Sequence, residues 1–437
     1  MNNINKFIVF AFVSAFLCSC GIYGKYQSVT AEEAEQIRIP SYTEIFREPE
    51  LLSLIDTALA NNLDLKIAHL RVQQADAVVK AAKLAYLPRL FAGAQPAVSL
   101  TAFKSDGNTV RDWSYTFGTA SWEIDIFGRL TNQKRIAQVN REQLADYEQA
   151  ARVELIAAVA TLYYNLQVLD AQIEATDAAE QNWEKSVYTM KEMKKAGLND
   201  EAAVSQFEGS YYSTKAASKA LRLLRTQAEN AMLLILCKED GAILRGKLNP
   251  QTDNSIIESI DLRVLRTRPD VNASEMNLAS AFYNANLARA NCCPSINIGG
   301  TIGWANGSVI YNAVGGLLQP LFNAGQNILA VRVSKSKLEE AEMAYTNSLL
   351  TAGNEVNDAL AARKSYIDRV DDYSKRVESM TRALDATQFK MSLGRGTYLE
   401  VLNAQNELLD AQMSMIENSG NILISAVDLY HAIGGGK

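Results

Sequence analysis

The sequence predicts a mostly helical chain made of two copies of one helix–β-hairpin–helix unit, with both hairpins in a membrane. Three observations carry this. First, no Asp, Glu, Lys or Arg occurs between Arg289 and Arg332, yet glycines and asparagines interrupt that tract. Its apolar residues alternate: Ile296, Ile298, Ile302 and Trp304 share one parity, and Ser295, Asn297 and Thr301 hold the other. Period two is a strand with one apolar and one polar face, not a membrane helix. Second, the pattern has a copy, since Asp64 precedes Pro88 by the same 24 residues that separate Asp270 from Pro294 (88 − 64; 294 − 270). Third, the stretch from Leu130 to Lys195 holds no proline and no glycine. As a helix it would reach about 100 Å at ~1.5 Å per residue, far more than a globular core uses.

In chain order, residues 1–19 read as a secretory signal: Lys6 is basic, Phe7–Leu17 is apolar but too short to span, and Leu17-Cys18-Ser19-Cys20 follows. That string resembles the bacterial lipobox, which implies cleavage before Cys20, a lipid (palmitate) attached there and, with Gly21 next, an outer-membrane address. Residues 20–50 are a lipid-anchored tether. The first repeat covers 51–237, with a helical run from Leu51 to about Tyr86 that stops at Leu87-Pro88. Its β-hairpin is 89–122, with a return strand Trp113–Trp122 and the charges Lys104, Asp106, Arg111 and Asp112 at the tip. Residues 238–266, with Gly241, Gly246 and Asn249-Pro250, form a connecting equatorial segment. The second repeat is 267–433, with its hairpin at 295–318 turning near Asn306-Gly307-Ser308. A tail, 434–437, ends the chain.

The long helices carry heptads. Leu155, Leu162 and Leu169 recur every seven in the first repeat; Leu338, Tyr345, Ala352, Ala359, Tyr366 and Tyr373 do so in the second. Each long helix ends at a glycine turn, Gly197 or Gly394 with Gly396, and Asp200 or Thr397 caps the returning helix. The returning helices run from Glu201 to Cys237 and from Tyr398 to Ala432.

A hairpin cannot present open edges to hydrocarbon, because each unpaired N–H or C=O costs several kcal/mol there. Four strands are too few to close. Three copies would supply twelve, giving a trimeric 12-stranded β-barrel continued by a periplasmic α-helical barrel.

Chemistry is sparse. His69 and His431 are far apart and lack metal-ligand spacing. Gly394-Arg395-Gly396 and Gly434-Gly435-Gly436 follow helices instead of opening them, so neither is a nucleotide loop. Cys237, Cys292 and Cys293 read as small apolar residues. The net charge of −6 offers no basic stripe for nucleic acid. A non-enzyme without cofactor or metal is expected. A protein-secretion duct and a lipid-anchored periplasmic coiled-coil scaffold are the competing functions.

Four stretches resemble the TolC-like outer-membrane efflux factors, in the lipoprotein branch typified by NodT and OprM. They are Arg268-Pro269-Asp270-Val271, Trp122-Glu123-Ile124-Asp125-Ile126-Phe127-Gly128-Arg129, Gln319-Pro320-Leu321-Phe322-Asn323-Ala324-Gly325, and Leu429-Tyr430-His431-Ala432-Ile433-Gly434-Gly435-Gly436. The resemblance implies a homotrimer in the outer membrane that serves as exit duct of a three-part pump for drugs or other small toxic compounds. It implies a periplasmic adaptor and an inner-membrane transporter as partners, the adaptor touching the turns at Gly197, Gly394 and Gly396. It also implies a pore constriction at Leu399, Glu400 and Asn403. Relatives often carry Asp where Asn403 stands, so Glu400 is the nearby acid.

Overall fold

The computed structural model describes residues 24–28, 40–101, 110–250, 262–305, 308–318 and 325–436. The signal, Cys20 and the Gln319–Ala324 motif lie outside the described residues. The helices are α1 Tyr42–Ile45, α2 Pro49–Asn61, α3 Leu63–Leu84, α4 Arg129–Lys195, α5 Glu201–Ile235, α6 Pro269–Ala290, α7 Gln326–Asp368, α8 Val370–Ser392 and α9 Tyr398–Ala432. The strands are β1 Arg89–Thr101, β2 Val110–Ile124, β3 Ser295–Ala305 and β4 Ser308–Leu318. Among the described residues no helix is long and apolar enough to cross a membrane.

The duplication is exact in its helix ends. Gly128 and Gly325, Gly197 and Gly394, and Cys237 and Gly434 are each 197 residues apart, and all six have positive φ. Upstream of the hairpins the offset is 206 (270 − 64), so the first hairpin is longer by nine residues.

Several expectations need correction. The run from Leu51 breaks at Asn62, whose Oδ1 accepts the Leu65 N–H at 3.0 Å and starts a new helix there. The second long helix breaks at Arg369, where the guanidinium bonds the Ser365 carbonyl at 3.0 Å and stacks on Tyr366. Arg111 and Asp112 sit within β2 rather than in a loop, opposite Leu100 and Ser99. The first heptad holds in part: Leu155 is buried and Leu162 packs against the same core, but Leu169 is only half-buried, and Ile156, Val159, Ala160, Tyr163 and Leu166 fill this stretch of α4 more completely. The second seam holds, with Ala341, Tyr345, Ala352 and Ala359 buried. Cys293 is buried against Ala290 and Phe127, but Cys237 and Cys292 are exposed thiols.

The chain divides into two compact units. One comprises Met1–Glu32, Ala68–Glu148 and Pro269–Ser348 and holds a single antiparallel sheet in the order β1-β2-β3-β4. The other comprises Glu33–Ile67, Gln149–Arg268 and Leu349–Lys437. Its main core joins Leu51 and Ile55 of α2, Ile156 and Tyr163 of α4, Met232 of α5, and Leu423 and Tyr430 of α9. A smaller core at the glycine turns packs Trp183 edge-on to Phe207, with ring centroids 5.7 Å apart, alongside Leu384 and Val401.

Candidate functional site

The sheet sorts its side chains by face. Cross-strand register puts Trp122 beside Ile298, Ile124 beside Ile296, Ile302 beside Tyr311, and Trp304 between Tyr115 and Val309. All of these lie on one side, and in the single chain it is bare: Tyr311 is 87% and Ile302 51% exposed. The other side carries Arg89, Thr119, Ser121, Glu123, Asn297, Thr301 and Asn312, with Phe91, Ile310 and Val314 among them. Apolar-out and polar-in alternation, with aromatics toward the ends, is what a membrane barrel wall requires. β1 and β4 are the outer strands of the sheet, each with one edge unpaired within the chain.

The Trp122–Arg129 motif is the corner where a strand becomes a helix. Asp125 accepts the Leu130 and Thr131 N–H groups at 3.0 and 2.8 Å, capping α4 with a carboxylate where the helix dipole is positive. Glu123 pairs with Arg129, its Oε1 accepting from Nε at 2.6 Å. Gly128 takes φ 72°, which a side chain resists. Trp122 Nε1 donates to the Tyr86 carbonyl at 2.9 Å, tying the strand base to the end of the preceding helical run.

Arg268 is equally structural. It is buried, donates Nη1 to the Ala432 carbonyl at 2.7 Å, and pairs through Nη2 with Glu355 at 2.7 Å. Two of the sequence motifs therefore meet: Arg268 satisfies the last carbonyl of α9, that of Ala432, just before Gly434 to Gly436.

At the turns, Gly197 N–H bonds the Lys194 carbonyl and Leu198 N–H the Met193 carbonyl; Gly394 and Arg395 repeat this with Met391 and Lys390. These are paired Schellman ends. Asp200 Oδ1 caps α5 through the Ala203 N–H at 2.9 Å, and Thr397 Oγ1 caps α9 through the Glu400 N–H. Gly197, Gly394 and Gly396 come together around one cleft of about 1300 Å³, with Tyr398, Val401 and Gln405 in its wall.

Leu399, Glu400 and Asn403 do not line that cleft. They sit on the exposed face of α9, while Val401 and Gln405 turn inward and Gln405 Nε2 bonds Ser186 Oγ at 2.9 Å. Glu400 also stands at the third helical position after Thr397, and Thr-x-x-Glu is a helix-start signature as well as a pore acid. What sequence reasoning missed is the ion-pair ladder inside the first helical hairpin: Asp170 with Arg225 and Arg245, Asp177 with Arg222, Glu180 with Lys215, Lys191 with Glu208 and Lys194 with Glu201. The seven-residue steps of Glu201, Glu208, Lys215 and Arg222 on α5, with opposite charges available on α4, were its signal.

Comparison with known proteins agrees with this geometry. The profile described as outer membrane efflux protein matches residues 54–237 and 263–435. The chain is 28% identical over 427 residues to the cation efflux system protein CusC of Escherichia coli O6:H1, covering 94% of this chain and 91% of that protein. It is 27% identical over 432 residues to the toluene efflux pump outer membrane protein TtgC of Pseudomonas putida, covering 95% and 88%. A crystal structure of CusC superposes with a TM-score of 0.82 at 26% identity, covering 95% of this chain and 99% of that one. The chain belongs to the outer membrane efflux protein family.

Proposed function

We propose that three copies join β1 of one to β4 of the next, closing a twelve-stranded barrel through which a tripartite pump discharges. The observation that carries this is the four-stranded sheet itself, apolar along most of one face and with β1 and β4 each leaving an edge unpaired within the chain. In hydrocarbon such a sheet is admissible only when its neighbours complete it. The long helices then form a periplasmic duct, its cleft at Gly197, Gly394 and Gly396 receiving a periplasmic adaptor that links it to an inner-membrane transporter. Leu399, Glu400 and Asn403 face the axis and narrow the duct. Cys20 carries the lipid that holds the chain to the outer membrane.

The relatives named for cations and for toluene stand at 28% and 27% identity, so the cargo is a small toxic solute chosen by the partner pump. Light scattering of detergent-extracted protein is expected to give three chains per particle, and planar bilayers a discrete conductance. A stable monomer without conductance would overturn the reading. Glu400→Gln is expected to lower cation selectivity, and Cys20→Ser to abolish palmitate labelling. Export of toluene and of metal salts from cells carrying or lacking the gene identifies the cargo.

A further inference from the structure

We propose that Gly24–Ser28 is a strap that docks on α6 and α4 through the buried carboxylate of Glu275 and sets the reach of the N-terminal anchor. Glu275 is completely buried, on a helix that also buries Val271, Ala279 and Ala285. Its Oε1 accepts the Ser28 hydroxyl at 2.8 Å, across 247 residues of sequence. The Tyr26 phenol lies beside the same carboxylate; burial, and then the Glu275 charge, push it above the ordinary tyrosine range. The Tyr26 N–H donates to the Tyr283 hydroxyl at 3.1 Å, and its ring lies 6.0 Å from that of Phe282. Upstream, the Gly24 carbonyl accepts from Arg135 Nη1 at 3.0 Å, while the same guanidinium covers the Tyr283 ring.

A buried carboxylate is costly unless hydrogen-bonded, so the Ser28 hydroxyl arriving from a distant segment contributes to holding Glu275 there. The carboxylate is thus a receptor for this chain's own N-terminal segment.

The docking point fixes a length. Arg135 lies six residues into α4, roughly 9 Å along the helix from Arg129 at the strand corner. Gly24 is four residue steps from Cys20, a reach of about 14 Å at most. The docked strap lets an anchor at Cys20 attain the level of the strand bases with only about 5 Å to spare. The clamp stands on the contacts alone; the length argument rests also on the lipid reading of Cys20.

The test uses full-length protein in isolated outer membranes and trypsin, because Lys25 is an exposed cleavage site inside the strap. Docking is expected to protect the Lys25–Tyr26 bond. Tyr26→Phe with Ser28→Ala, and separately Glu275→Gln, are expected to speed that cut about tenfold or more while leaving other fragments unchanged. Deleting Ile22 and Tyr23 leaves about 7 Å of reach, so the strap must undock and Lys25 becomes cleavable, whereas inserting two residues there changes nothing. Parental cleavage rates in the double variant, or a protected Lys25 after the deletion, would overturn the proposal. Palmitate labelling separates the two readings: an unlabelled parent sinks the lipid at Cys20, and the Glu275 arm still decides the strap.

Discussion

Cys237 holds in the first repeat the place that Gly434 holds in the second: each follows the first residue of its 35-residue helix by 36 positions, and each has a positive φ. The hydrogen bonds match as well, since Lys238 N–H meets the Leu233 carbonyl as Gly435 N–H meets that of Tyr430. A Cβ at φ 54° is unfavourable, and glycine removes the cost. Cys237→Gly is expected to stabilise by about 1 kcal/mol, read as a higher midpoint for heat dissociation on gels. A lower midpoint would mean that the thiol makes a compensating contact.

At Gly420 α9 passes close over α4. A Cβ built there would meet Val168 Cγ2 at 2.2 Å. Gly420→Ala is expected to destabilise by about 1–3 kcal/mol through overpacking, and Val168→Ala to restore most of that. A double-mutant cycle with no coupling would show that the helices simply move apart.

Face parity in the sheet makes a sharper test. Ile302 and Thr301 are neighbours in β3 with opposite orientations. Ile302→Arg puts a charge against lipid, at a cost of about 2–4 kcal/mol near the midplane. Thr301→Arg puts it in the lumen. Outer-membrane yield of folded oligomer should collapse for the first and persist for the second, whose conductance should change.

For Arg268, carbonyl capping outweighs ion pairing. Glu355 is 44% exposed, so screening holds its share to under about 1 kcal/mol. The buried Ala432 carbonyl is the greater debt when its donor is lost. Arg268→Met is expected to cost about 1–3 kcal/mol and Glu355→Gln clearly less, by thermal midpoint. Equal losses would reverse that ranking.

The hairpins were legible because a strand in oil must alternate, and Ile296 to Trp304 does. Helix ends were legible because a left-handed residue after a helix is usually glycine, as at Gly197 and Gly394. That same rule hid Cys237, whose backbone is glycine-like without the glycine. The break at Asn62 escaped notice because a side-chain cap leaves the apolar pattern on either side intact. The first-repeat seam was legible only in part from its leucines: Leu155 lies in the core, but Ile156, Ala160 and Tyr163, which break the leucine pattern, fill it alongside. The clamp on Glu275 was invisible because nothing local in sequence distinguishes a buried carboxylate from a solvated one. Of the expected channel residues, the turn glycines were found by backbone chemistry, but the orientation of Leu399, Glu400 and Asn403 depends on which face of α9 packs inward.

The nine extra residues of the first hairpin reach beyond a single chain. In the proposed trimer, three longer and three shorter hairpins would alternate around the barrel, so an antibody raised against the longer hairpin is expected to saturate at three per channel.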